Sequence, residues 1–443
     1  MRPPGYGEGQ PRLDDTRRPV VLVVLDGLGD RPVPELGGRT PAEAARTPVL
    51  DELARRGTSG WHVPLGWGRA PSSELSHWAM LGYADLPFPG RAVLEGLGAG
   101  IDVPHGVAAL HGALRTSAVD GEVLRVTGRA GPGDEVDAAA LLAELAPVAT
   151  AHGVALQPVG SRGEVLLLLP GHAVGDVSDS DPFFEHLHPW LRPVAATPAG
   201  QALAADLTAF LLAAREVLRA SAVNAARDRP ALDLLTTKWA GVRHALPAFD
   251  EVVGVPGGAV TSSRLYRGLA DLLGLARRDL DGGPDLVAEM AGRVAAGIDL
   301  LDGGAAFVHV HTKAPDEAGH TKSPWAKRDV LEAIDAGLEP LLALTSRAVV
   351  AVTGDHATPS TGGVLHTGDP TPFVLAGGGV RADEVVTFGE KPSRRGDLGV
   401  LAARDLLPLM FSAADRPAFL GHRTAARPSL ALLDAPEAMP LRP

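Results

Sequence analysis

The 443-residue chain contains no cysteine, which rules out disulfides and thiolate metal sites alike. It has no run of eighteen apolar residues and no signal-like start, since the segment MRPPGYGEGQPRLDDTRRP is polar and rich in Pro and Gly, so no membrane partner is expected and the chain is assigned to the cytoplasm. Aromatic residues make up 4% of the sequence, and 41 basic side chains stand against 53 acidic ones without a basic run, a net charge of −12 that argues against nucleic acid as a partner. What the chain does have is an apolar fraction of 45%, enough for one large core and a second, smaller domain.

The chemistry-bearing residues cluster after short apolar runs. Residues 348–353 (AVVAVT) read as a buried strand that delivers Asp355 and His356 to a sheet edge, with His366 close behind. Residues 305–310 read as another strand, followed by Lys313, Asp316 and His320; Pro315 and Gly319 point to a rigid loop there rather than a helix. Residues 19–25 (PVVLVVL) read as a central parallel strand ending at Asp26. In open α/β sheets the carboxyl ends of the strands are where ligands bind. Imidazole and carboxylate together suit Mn, Zn, Fe or Co better than Ca.

Thr40-Pro41 opens a helix, and Arg69 to Gly82 carries Ser72, Ser73 and Ser76 ahead of an apolar stripe of Leu75, Ala79 and Met80. A serine at that helix start is either a cap or a nucleophile. His77 lies one turn on, as an orienting group, and Arg91 is able to grip a phosphate or carboxylate bidentately. Strands at 122–127 and 164–169 around a helix at 136–152 indicate an inserted small α+β domain at 107–179. Later elements are a helix at 197–221, a strand at 252–255, helices at 262–275, 284–300 and 327–343, strands at 371–375 and 384–387, and a helix at 398–411. The alternation gives a doubly wound α/β core over 19–106 and 180–423, between a disordered segment 1–18 and a tail 424–443.

The motifs VVLDGLGD, Ser-Ser-Glu-x-x-His, LEGLGAGID, HTKAPDEAGH, TGDHATP and HTGDPTP resemble, in order, those of the archaeal-type cofactor-independent phosphoglycerate mutases of the alkaline phosphatase superfamily. The resemblance implies an alkaline-phosphatase-like metal-binding core with an inserted domain, and a phosphoryl group passed through a phosphorylated serine at Ser73. It puts one divalent ion on Asp316, His320 and His366 and a second on Asp26, Ser73, Asp355 and His356, with manganese ahead of zinc, cobalt or magnesium. Three aspartates and a serine alkoxide would balance two such ions. Lys313 falls near the transferred group. Both it and Arg91 are candidate contacts to a small phosphorylated or phosphonate substrate, and homo-oligomerisation is left open.

The sequence departs from the family at Ser72-Ser73-Glu74, at Leu110-His111-Gly112 (Arg-x-Asn in the family), at Ser180-Asp181-Pro182-Phe183 (Thr-Asp-Pro-His) and in LLTTKWAG, where an arginine is replaced. Lost substrate-pairing groups cost roughly 2 to 5 kcal/mol each. The departures predict a weak mutase or a phosphotransferase or hydrolase with another substrate, unless Arg91, Arg115, Arg243 or Arg264 compensates. A non-catalytic metal-binding protein is the remaining alternative.

Overall fold

The structure is a computed structural model, which describes residues 16–183, 188–420, 427–434 and 439–441. Most of the expected N-terminal segment and much of the expected tail lie outside the described residues. The chain divides into two compact units, residues 1–88, 247–263 and 273–443 forming the first and residues 89–246 and 264–272 the second. Among the described residues no helix is long and apolar enough to cross a membrane.

The first unit is built on an eight-stranded sheet in the order β13-β2-β12-β11-β1-β10-β8-β9. Its strands are β1 (Val20–Leu25), β2 (Thr58–His62), β8 (Gly257–Thr261), β9 (Ala276–Asp279), β10 (Phe307–Thr312), β11 (Val349–Thr353), β12 (Thr371–Ala376) and β13 (Gly399–Leu401). All six residues of β1, VVLVVL, are buried, because a strand between two parallel neighbours has helices over both faces. β1 runs parallel to β10 and to β11, with Leu25 opposite Thr312 and Val24 opposite Thr353, so the three strands end level. Asp26, Lys313 and Asp355 therefore leave the sheet at one edge.

The second unit holds a five-stranded antiparallel sheet of β3 (Ala108–Asp120), β4 (Val123–Arg129), β5 (Ala155–Pro158), β6 (Glu164–Leu169) and β7 (Leu234–Val242), with β3 bonded to β4, β6 and β7. The helices Glu135–Ala151 and Gln201–Ala220 close its apolar face with Leu141, Leu145, Leu207 and Phe210. This unit takes in more chain than the expected 107–179, because β7 pairs directly with β3.

Several local expectations change. Residues 252–255 are not a strand: Phe249–Val253 is a helix and the strand follows at Gly257. Residues 384–387 form no strand, and β13 supplies the edge instead. The helix expected over 327–343 breaks into Pro324–Gly337 and Pro340–Leu344, since proline starts a helix but cannot continue one. Leu75 is exposed, whereas Ala79 and Met80 are buried as expected.

Candidate metal centre

Asp26 is fully buried at the end of β1. Its Oδ2 accepts from His311 Nε2 at 3.1 Å and lies 3.6 Å from Lys313 Nζ, while Oδ1 lies 3.3 Å from His356 Nε2. The loop after β11 carries Asp355, whose Oδ1 accepts from the Gly27 N–H at 2.9 Å, and His356. Gly27 has φ 66°, and a Cβ there would come within 2.5 Å of Thr358 Oγ1, so this tight crossing of two loops needs glycine.

Asp316 and His320 sit on a helix, Ala314–His320, and not on the loop expected from Pro315 and Gly319. Proline is compatible with the first turn of a helix, and Gly319 is there for close approach: a Cβ would lie 2.7 Å from the Thr358 carbonyl oxygen. The helix puts the two side chains one turn apart on one face. His320 Nε2 stands 3.2 Å and His366 Nε2 3.5 Å from Asp316 Oδ1. Asp316, His320 and His366 offer donor atoms within 4.8 Å of one another, and so do Asp26, Asp316 and His356, so Asp316 belongs to both groups.

Ser73 is the first residue of the helix Ser73–Trp78. Its Oγ lies 2.9 Å from His356 Nε2 and 3.5 Å from Asp26 Oδ1. Ser76 Oγ is engaged elsewhere, donating to the Asp355 carbonyl at 2.6 Å, and Ser72 is the N-cap residue, without a side-chain cap hydrogen bond. His77 Nδ1 donates to the Ser73 carbonyl at 2.8 Å and faces Asp355 Oδ2 at 3.6 Å. Lys313 Nζ bonds Asp316 Oδ2 at 3.1 Å. Arg91 belongs to the second unit, where its Nε and Nη2 bond Glu95.

Sequence reasoning missed five residues. His309 and His311 alternate along β10 and share a face with His77, at ring distances of 5.1 and 5.4 Å; the strand runs two residues past the expected end at Val310, as the alternation in FVHVHT allows. Burial holds His77 and His311 down at about 4, so these imidazoles are neutral hydrogen-bonding groups. Thr358 Oγ1 donates to Asp316 Oδ1 at 2.7 Å and lies 3.2 Å from His356 Nδ1. The buried Lys327 bonds Asp30 and the carbonyls of Gly29 and Thr358, tying together the loops that follow β1 and β11. Asp30 and Thr358 fall within VVLDGLGD and TGDHATP without a role that spacing alone assigns, and Lys327 lies in none of the motifs.

The site fits a metal. Burial, and then the charge of Asp26, pushes Asp355 up to about 6, and its Oδ2 is buried without a hydrogen bond. Crowded carboxylates of this kind need a cation, and the mixed nitrogen and oxygen donors suit a divalent one.

The profile of the Metalloenzyme superfamily matches residues 18–413, which gives the class to which this fold and donor set belong. A 2,3-bisphosphoglycerate-independent phosphoglycerate mutase from Methanoculleus marisnigri is 36% identical over 88% of this chain and 96% of its own length. One from Thermoplasma volcanium is 34% identical over 90% and 97%. Among solved structures, the cofactor-independent phosphoglycerate mutase of Thermoplasma acidophilum matches with a TM-score of 0.60 and 31% identity over 90% of this chain and all of its own. A Pyrococcus horikoshii protein matches with a TM-score of 0.74 and 28% identity over 91% and 99%. The chain belongs to the 2,3-bisphosphoglycerate-independent phosphoglycerate mutase family, and it is a divalent-metal-binding member of that superfamily.

Proposed function

We propose that the chain interconverts 2-phosphoglycerate and 3-phosphoglycerate by metal-dependent phosphoryl transfer through a phosphoserine at Ser73. The observation that carries this reading is the approach of Ser73 Oγ to His356 Nε2 and Asp26 Oδ1, inside the cluster of buried carboxylates. Two divalent ions, manganese first in order, on Asp316, His320 and His366 and on Asp26, Ser73, Asp355 and His356, would supply Lewis acidity and lower the serine pKa.

The residues of the chain divide the remaining work. Ser73 Oγ attacks phosphorus in line: its bond to phosphorus forms as the bond to the glycerate oxygen breaks, the serine gives up its proton, and the departing oxygen gains one. The second half reverses this exchange on the other hydroxyl. Lys313, placed by Asp26 and Asp316, neutralises charge on the transferred group. His311 holds Asp26 and His77 holds the Ser73 carbonyl, so donor and nucleophile keep their directions.

A coupled enolase assay from 3-phosphoglycerate on metal-loaded protein tests the reading, with turnover of order ten per second expected. Absence of turnover sinks the mutase assignment. A second reading then stands, a phosphotransferase or hydrolase for another small phosphate or phosphonate, and it is favoured by Phe183, 54% exposed where the family carries histidine. Two other departures weigh less: Leu110 is buried in the apolar core of the second unit, and a Cβ at Gly112 would strike Leu167 at 2.5 Å. A charged side chain at either position would not line a pocket. The charged face of β3 carries His111 and Arg115 instead, and both face further cations.

A further inference from the structure

The loop from β11 to β12 carries candidate ligands near both of its ends: Asp355 and His356 leave β11, and His366 stands shortly before β12. Between His356 and His366 the chain makes a closed excursion. Its neck is pinned where the Thr367 N–H donates to the Ala357 carbonyl at 3.0 Å, and at its tip Gly362, Gly363 and Val364 are exposed. The outgoing limb is fixed from the core, since Lys327 bonds the Thr358 carbonyl at 2.8 Å and the Ser360 N–H donates to Asp30 at 3.0 Å. The returning limb, which brings His366, is held differently. The His366 side chain is 23% exposed, whereas that of His356 is fully buried, so packing fixes one imidazole more firmly than the other.

Lys322 ties the two limbs together. It follows the helix Ala314–His320, its N–H donating to the Gly319 carbonyl at 3.1 Å, and its φ of 58° is the left-handed conformation that ends many helices and usually falls to glycine. A lysine is strained there, and such strain collects at functional sites. What it adds over glycine is a side chain: Nζ donates to the Pro359 carbonyl on the outgoing limb and to the Val364 carbonyl on the returning one, both at 2.7 Å. One short stretch thus carries Asp316 and His320 on a helix and, two residues on, the ammonium that bridges the loop bearing His366. His366 Nδ1 donates to the Pro71 carbonyl at 3.0 Å, which fixes the tautomer and leaves Nε2, 3.5 Å from Asp316 Oδ1, to meet a cation.

We propose that Lys322 is a positioning residue for the metal group Asp316, His320 and His366: by bracing the two limbs of the loop, its ammonium sets His366 in place before an ion binds. The inference rests on the reading of those three residues as ligands of one divalent ion. Ordering a partly exposed histidine in advance removes an entropy cost that ion binding would otherwise carry. The sign of the effect separates positioning from electrostatics. Lys322 is close enough to Asp316 for their charges to interact, and a cation beside a cation site repels the ion, so loss of the charge alone would tighten metal binding. Loss of the brace weakens it.

The test is competition between a chelator and the Mn²⁺-loaded full chain, with melting temperatures taken in excess chelator. His366→Ala identifies the binding step that belongs to this group by weakening it. Lys322→Gly, which relieves the left-handed strain and removes the ammonium, should weaken the same step roughly tenfold or more, with a metal-free melting temperature close to the parent's. Lys322→Met should weaken it likewise, and Lys322→Arg, with donors enough for two carbonyls, should recover much of it. In the His366→Ala background Lys322→Gly should add nothing further. A Lys322→Gly protein that binds Mn²⁺ as tightly as the parent or tighter, or that loses affinity equally with and without His366, overturns the proposal and leaves the metal group standing. So does a large fall in metal-free melting temperature shared by Lys322→Gly and Lys322→Met, which makes the lysine a general support of the fold. A His366→Ala protein with every binding step unchanged removes the ion from this group, and with it both the ligand reading and the brace.

Discussion

The two units hold polar clusters of opposite character. In the first, Asp26, Asp316 and Asp355 are buried together at the ends of parallel strands, an excess of negative charge that a cation satisfies. In the second, Arg91, Arg115, Lys238 and Arg264 surround His111 beside an antiparallel sheet, and Glu95, Asp181 and Glu164 pair with three of these cations. The first cluster matches the family motif by motif, whereas the second contains several of the departures. The matching motifs and the departures thus lie in separate parts of the chain.

The strongest test of this division is at the proposed nucleophile. Ser73→Ala should lower phosphoryl transfer on the order of 10⁴-fold or more while leaving metal content and melting temperature unchanged; a phosphopeptide carrying the label on Ser72 would show that the wrong serine was chosen. In the second unit, Arg115→Ala strands the buried Asp181 carboxylate, whose pairs with Arg115 and Thr236 are 2.5 and 2.9 Å long. The expected loss is roughly 3 to 5 kcal/mol, read by denaturant titration, and metal content should not follow it. If metal is lost with it, the clusters are not independent.

Thr358→Val sharpens the comparison from the side of the metal centre. Without the 2.7 Å bond to Asp316, divalent-ion affinity should weaken about 10- to 100-fold, measured by competition with a chelator. The smallest effect concerns His111. Burial lowers its pKa from 6.5 to about 3, so the unfolded chain takes up a proton that the folded one refuses. The stability it contributes is present above pH 6.5 and declines as pH falls from there toward 3. His111→Asn should flatten that part of the stability–pH curve, and an unchanged slope would mean that the ring is protonated in the folded state.

How far the sequence could be read depended on how each feature is encoded. Asp26 and Asp355 were legible because a short β-branched run ending at Gly or Asp marks both a buried strand and its carboxyl edge. His311 opens HTKAPDEAGH but lies beyond the apolar run 305–310 that marks the strand, and Pro315 and Gly319, residues that disfavour a helix interior, mask the helix carrying Asp316 and His320. β3 and β7 were missed because their small and polar residues make no apolar run. Residues 107–179 consequently gave too small a second domain.

The sequence by itself determined the types of donor, their place after strands, and the family. These depend on residue identity and on spacing over a few positions, where chain geometry leaves few choices. Only the tertiary structure decided that Asp316 serves both donor groups, that Thr358 bonds it, and that Lys238 and Arg91 share the indole of Trp239. Such contacts join residues far apart in the chain, and their distances depend on strand register, on a single left-handed residue, and on loops that cross only where a glycine lets them.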